Sequence, residues 1–140
     1  EYVKRQPETK VWDAETGQKL LGIKGLEMRY LKFSPDGKHL AGSSDGRVRL
    51  LDSQTGKELL QLPTGSTGLA FSPDGRRIVN AGYDQTVRVY DAQTGQELMV
   101  FEGHRNYNGV AFSPDGNRLA AGGQDGTVKI YDATPLPEKP

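Results

Sequence analysis

The pentapeptide Phe-Ser-Pro-Asp-Gly occurs three times, at residues 33–37, 71–75 and 112–116, in steps of 38 and 41 residues. Two further markers keep the same spacing. Thr-Gly recurs at 16–17, 55–56 and 94–95, and an aspartate closes a hydrophobic stretch at Asp13, Asp52, Asp91 and Asp132. Three independent markers on one period of about 39 residues describe a repeat architecture, in which each unit buries its apolar faces only by stacking on its neighbours.

The segments between the markers read as strands. Val87-Arg88-Val89-Tyr90 and Val128-Lys129-Ile130-Tyr131 alternate, with valine or isoleucine on one face, and Val48-Arg49-Leu50-Leu51 and Thr9-Lys10-Val11-Trp12 follow the same plan. No window carries an apolar stripe at helical spacing, so helix content near zero is expected. In Ser34-Pro35-Asp36-Gly37, proline presets φ at the first central position of a type I turn, aspartate suits the second, and glycine takes the left-handed position that follows. That is the three-residue hairpin with a bulge. Asp45-Gly46 and Asp125-Gly126 signal further tight turns, while Asp84-Gln85 has lost the glycine. Each repeat therefore reads as four short antiparallel strands, a to d. Strand a ends at Phe33, Phe71 or Phe112, b follows the Pro-Asp-Gly turn, c ends at the marker aspartate and d follows Thr-Gly.

Composition excludes several function classes. Eighteen Lys and Arg balance eighteen Asp and Glu, which argues against a dedicated nucleic-acid binder. There are no cysteines, so disulfides, thiolate metal sites and cysteine nucleophiles are out of reach. The longest run of aliphatic and aromatic residues, Leu98-Met99-Val100-Phe101, is far short of a membrane span. A soluble, cytoplasmic chain without membrane contact is expected.

The three Phe-Ser-Pro-Asp-Gly turns, Trp12-Asp13, Gly103-His104 and the pattern from Asp125 to Asp132 together resemble the WD40-repeat β-propellers, over about residues 9 to 132. The resemblance implies an all-β fold of four-stranded antiparallel blades, about three and a half per chain. It places a partial blade at 1–24, blades at about 25–63 and 64–102, a last blade at 103–133 lacking strand d, and a proline-rich tail at 134–140. Counting b, c and d in the first blade gives fourteen strands. Leu51, Tyr90 and Tyr131 stand where the family has its tryptophan, and Asn80 and Ala121 where it has a strand-b Ser or Thr. Gly25-Leu26 and Thr64-Gly65 replace Gly-His. The family's hydrogen-bonded set of Trp, Ser/Thr, His and Asp is therefore incomplete in every repeat. Trp12, Asp13, His104 and Asp125 are expected to be structural, with His104 bonded to Asp125 but lacking its hydroxyl relay.

Propellers close with about four to eight blades. A chain with about three and a half is a piece of a longer propeller, a subunit of a ring closed by several chains, or a small ring with incomplete blades.

No arrangement of acid, base and nucleophile, no metal-ligand cluster and no phosphate loop stands out, so no catalytic residue, cofactor or metal is expected. Arg76-Arg77 reads as a solvated strand edge, and His39 as a solvated or rim residue. The resemblance places the d–a and b–c loops on one rim, where protein partners dock. Those loops carry Arg29, Tyr30, Tyr83, Arg105, Asn106 and Tyr107, and Tyr and Arg are enriched in binding hot spots. Arg105-Asn106-Tyr107 is expected to be the strongest cluster, in the longest d–a connection. The leading functional reading is a non-catalytic protein-interaction scaffold. A self-assembling half-propeller, natural or engineered, that closes a ring as a homo-oligomer is the alternative, and an enzyme with a site at the central channel comes third.

Overall fold

The computed structural model describes residues 6–104 and 106–135. Among them there is no helix, and thirteen strands form four antiparallel sheets. The first sheet pairs β1 (Glu8–Trp12) with β2 (Lys19–Lys24). The second runs in chain order through β3 (Arg29–Phe33), β4 (His39–Ser44), β5 (Arg47–Asp52) and β6 (Glu58–Leu62). The third contains β7 (Gly68–Phe71), β8 (Arg77–Ala81), β9 (Thr86–Asp91) and β10 (Glu97–Glu102). The fourth contains β11 (Tyr107–Phe112), β12 (Arg118–Gly123) and β13 (Val128–Asp132). These are WD40-like blades, about three and a half of them. Tyr2-Val3, the apolar pair that residues 1–8 offer for the expected strand b of the first blade, lies outside the described residues, as does most of the proline-rich tail.

The turns form for the expected reasons. Gly37, Gly75 and Gly116 hold φ of 72°, 73° and 75°, the left-handed conformation that the hairpin bulge requires. The serine ahead of each proline adds a brace: the Ser34 hydroxyl donates to Asp36 Oδ1 at 2.6 Å and accepts the His39 amide at 2.9 Å. Ser72 and Ser113 repeat both bonds. At the c–d turns the marker aspartate caps the chain, as where Asp52 Oδ1 accepts the amides of Gln54 and Thr55 at 3.0 and 2.8 Å. Where glycine is missing, Gln85 itself adopts φ 68°.

The first strands β3, β7 and β11 lie side by side, so successive blades fan from one edge. Their approach is close: a Cβ at Gly68 would stand 3.1 Å from Gly109 Cα. The core lies between blades, and strand alternation decides which blade each residue meets. From the second blade, Ala41, Val48 and Leu50 pack against Ile78 and Tyr90 of the third. From the third, Val79, Val87 and Val89 pack against Leu119, Ala121 and Tyr107 of the fourth, with Tyr131 beside them.

Arg77 departs from expectation. Its side chain is not a solvated edge but buried, pointing from β8 across to the fourth blade. There Nη1 donates to the Ala133 carbonyl at 2.5 Å and Nη2 to the Gly116 carbonyl at 2.6 Å, with the guanidinium 5.0 Å above the Phe112 ring. A charge is tolerated in an interior when such donors meet fixed acceptors. Arg76, just before β8, is exposed.

Candidate interaction site

Arg29, Tyr30 and Tyr83 come together. With Glu27, Ser43, Ser44 and Asp45 they line a cleft of about 190 Å³ on the rim between the second and third blades. Arg29 and Tyr30 open β3, while Tyr83 sits in the turn between β8 and β9. Tyr83 is 69% exposed and Tyr30 47%. Tyr30 holds φ 55°, a conformation that a bulky side chain adopts only at a cost. Asp45 (φ 51°) and Gly46 (φ 73°) form the tight turn on the opposite wall.

The charges of the cleft are mixed. Arg29 Nε and Nη2 both donate to Glu27 Oε1, at 3.1 and 2.9 Å. That bond, more than the neighbouring phenols of Tyr30 and Tyr83, holds the guanidinium above even its ordinary pKa. Asp45 Oδ2 lies 3.4 Å from Arg49 Nη2, whose other amine donates to Glu58 at 2.6 Å. Glu27, the two serines and Asp45 gave no sequence signal as site residues, because Asp45-Gly46 reads as turn chemistry alone.

Of the remaining rim residues, Asn106 and Tyr107 do not join this cleft. Arg105 lies outside the described residues. Asn106 is exposed, with its carbonyl accepting the Gln124 amide at 3.0 Å. Tyr107 is 4% exposed, a core residue rather than a rim contact. Its ring meets His104 edge-on at 5.6 Å, its hydroxyl donates to the Gln85 carbonyl at 3.3 Å, and that hydroxyl fills the space a Cβ at Gly103 would need. Nor is their connection the longest: residues 103–106 are outnumbered by residues 63–67 between β6 and β7.

A family model for the WD domain, G-beta repeat, matches residues 57–91 and 95–132. The chain belongs to the WD40-repeat family. A model for the WD40 domain of anaphase-promoting complex subunit 4 also matches, over residues 2–68. No curated protein matches the chain. Each G-beta match starts beside strand d of one blade and ends at the strand-c aspartate of the next, so the sequence repeat straddles two structural blades. WD40 domains in general are non-catalytic modules for protein interaction.

The substitutions in the WD40 hydrogen-bonded set have different outcomes in different blades. In the last blade His104 is buried, with Nδ1 3.4 Å from Asp125 Oδ2 and 3.3 Å from Thr127 Oγ1. Its Nε2 is buried with no partner among the described residues. Gly123 makes room for the brace, since a Cβ there would stand 2.6 Å from the imidazole. In the third blade a substitute network has formed. Asn80 Nδ2 donates to Thr64 Oγ1 at 2.7 Å, and Thr64 Oγ1 lies 3.2 Å from the Tyr90 hydroxyl. Thr64, which stands at the glycine of Gly-His, thus links the two residues that replace Ser/Thr and Trp. Trp12, by contrast, is 55% exposed, while Asp13 caps its turn by accepting the Thr16 amide at 2.7 Å.

Proposed function

We propose that this WD40 chain is a non-catalytic interaction scaffold that takes a segment of a partner protein in the rim cleft of Arg29, Tyr30 and Tyr83. The observation that carries this reading is the convergence of two exposed tyrosines and an arginine, from two blades, on one cleft. Tyrosines on a rigid frame offer contact area at low entropic cost, and the Arg29–Glu27 pair supplies both a donor and an acceptor. Selection of displayed random peptides against the purified chain, and against a Tyr30→Asn, Tyr83→Ala variant, tests it. Asparagine is chosen because it accepts the left-handed backbone at residue 30. Peptides enriched by the native chain should be lost on the variant while its melting curve stays unchanged. Equal enrichment by both moves the binding surface elsewhere.

A second reading, self-association, is favoured by apolar side chains exposed on the outermost blades: Val128 at 65%, Ile130 at 61% and Trp12. Such patches mark association surfaces. Light scattering over a wide concentration range tests it, and a mass fixed at the 15.3 kDa of one chain would refute it.

A further inference from the structure

The glycines of the three Pro-Asp-Gly turns present equivalent carbonyls, and the chain bonds two of them. The Gly37 carbonyl accepts the Ser53 hydroxyl at 2.6 Å. The Gly116 carbonyl accepts Arg77 Nη2 at 2.6 Å, while Arg77 Nη1 donates to the Ala133 carbonyl. The Gly75 carbonyl meets no donor among the described residues, and neither does that of Ala92. Two exchanges account for this. Ala92 stands where the second blade has Ser53, so no hydroxyl reaches back to the turn, and His39 stands where the third blade has Arg77.

The two interfaces are otherwise in the same register. A Cβ at Gly75 would stand 3.6 Å from Pro35 Cδ, and one at Gly116 would stand 3.6 Å from Pro73 Cδ. Gly116 and Ala133 are buried beneath Arg77, whereas Gly75 and Ala92 are half-buried. Histidine in place of arginine leaves a hollow of about 760 Å³ between the second and third blades, which is the size of a ligand pocket. Both blades are complete four-stranded sheets. Buried Leu50 and half-buried Leu60 line the interior of the hollow, and exposed Leu59 and Arg76 border its mouth.

We infer that this hollow binds an arginine side chain carried by a segment of a partner protein. The Gly75 and Ala92 carbonyls accept from its guanidinium as Gly116 and Ala133 accept from Arg77. The occupant is a cation because two unbonded carbonyls and the Asp91 carboxylate border one space. It is arginine rather than lysine because two separate acceptors match a forked donor better than a point charge. It belongs to a protein segment because Leu59 and Leu60 offer apolar contact to the residues on either side of the arginine. Two basic groups also border the hollow. Arg76 is exposed, so water and salt screen its charge. His39 lies near Asp36 and Asp52, whose carboxylates offset it. The hollow sits at the a–b and c–d turns, the strand ends opposite the cleft of Arg29, Tyr30 and Tyr83, and does not depend on that cleft.

The test titrates acetyl-Leu-Arg-Leu-amide into the isotopically labelled chain and follows backbone amide shifts. The amides of Arg76, Ala92 and Gln93 should move and saturate. The same peptide with citrulline or lysine in place of arginine should bind about tenfold more weakly, having lost the charge or the fork. His39→Arg fills the hollow with the chain's own guanidinium and should abolish the shifts, whereas Tyr30→Asn with Tyr83→Ala should leave them intact. Shifts that centre elsewhere, that fail to saturate or that are equal for the three peptides overturn the inference. So does a folded His39→Arg chain that binds as the native chain does. If His39→Arg fails to fold, the comparison of the three peptides on the native chain decides alone. Loss of the shifts in the double tyrosine variant would place the arginine in the rim cleft and would also overturn the inference.

Discussion

The Arg77 guanidinium and the Gly116 carbonyl oxygen, 2.6 Å apart, tie the third blade to the turn of the fourth. Both groups are shielded from water by the packing of the two sheets, with Phe112 beneath the charge. Arg77→Ala would strand two carbonyls and open a void. It should cost about 3 kcal/mol, in the range for a buried hydrogen-bonded charge. Urea denaturation of the variant beside Arg76→Ala checks this, and equal midpoints for the two would show that the clamp contributes nothing.

His39 holds the position of Arg77 in the second blade. It borders a hollow of about 760 Å³ with Gly75 and Ala92, the counterparts of Gly116 and Ala133. His39→Arg should reproduce the clamp and raise stability by about 1 kcal/mol, the net worth of an added charged hydrogen bond. A lowered melting temperature would show that this interface does not admit the longer side chain.

Thr64, Asn80 and Tyr90 should behave as one unit. Thr64→Val removes the hydroxyl that bonds both Asn80 Nδ2 and the Tyr90 hydroxyl, leaving Asn80 Nδ2 only the residue-64 carbonyl at 3.2 Å. It should cost about 2 kcal/mol, and Tyr90→Phe on that background should cost much less than on the native chain. A double-mutant cycle measures the coupling, and additive effects would mean that the hydroxyls act independently.

The Nε2 of His104, buried with no partner among the described residues, invites repair. Ala121 lies on the same face of β12 as Gly123, over which the imidazole sits. Ala121→Ser places a hydroxyl where WD40 repeats carry one and should raise stability by about 1 kcal/mol, measured by thermal melting. No gain would mean that the hydroxyl fails to reach the ring.

Alkaline stability should depend on Tyr131. Burial, reinforced by repulsion from Tyr107, pushes its phenol up to about 12. A phenol whose folded pKa exceeds its unfolded value of about 10 contributes stability that is complete below pH 10 and lost as pH rises towards 12. Tyr131→Phe loses the bond to the Glu102 carbonyl (2.9 Å) and so lowers stability at neutral pH. It should also flatten the decline between pH 10 and 12, seen in urea midpoints across that range. An unchanged slope would assign the alkaline loss to other groups.

Much of this was legible before any coordinates. The Pro-Asp-Gly turns, the alternating strands and the four-strand repeat follow from local chemistry, because a turn needs its proline and glycine wherever the rest of the chain goes. The Arg29, Tyr30 and Tyr83 rim set was also legible as residue types on loops, although its meeting in one cleft was not. The misreadings share a cause. Tyr107 and Arg77 are amphipathic, so their sequence position fits a wet or a dry environment equally well. Only the neighbouring blade determines which.

The sequence by itself determined the repeat, the strand order within a blade and the loss of the usual WD40 hydrogen-bonding residues. The tertiary structure decided what replaced them: a Thr64–Asn80–Tyr90 network in one blade, a buried His104 nitrogen with no partner among the described residues in another, and an arginine clamp between two. The physical reason is the reach of the forces. Turn and strand preferences act over a few residues, whereas Arg77 and Ala133 are 56 residues apart and meet only because the sheets stack.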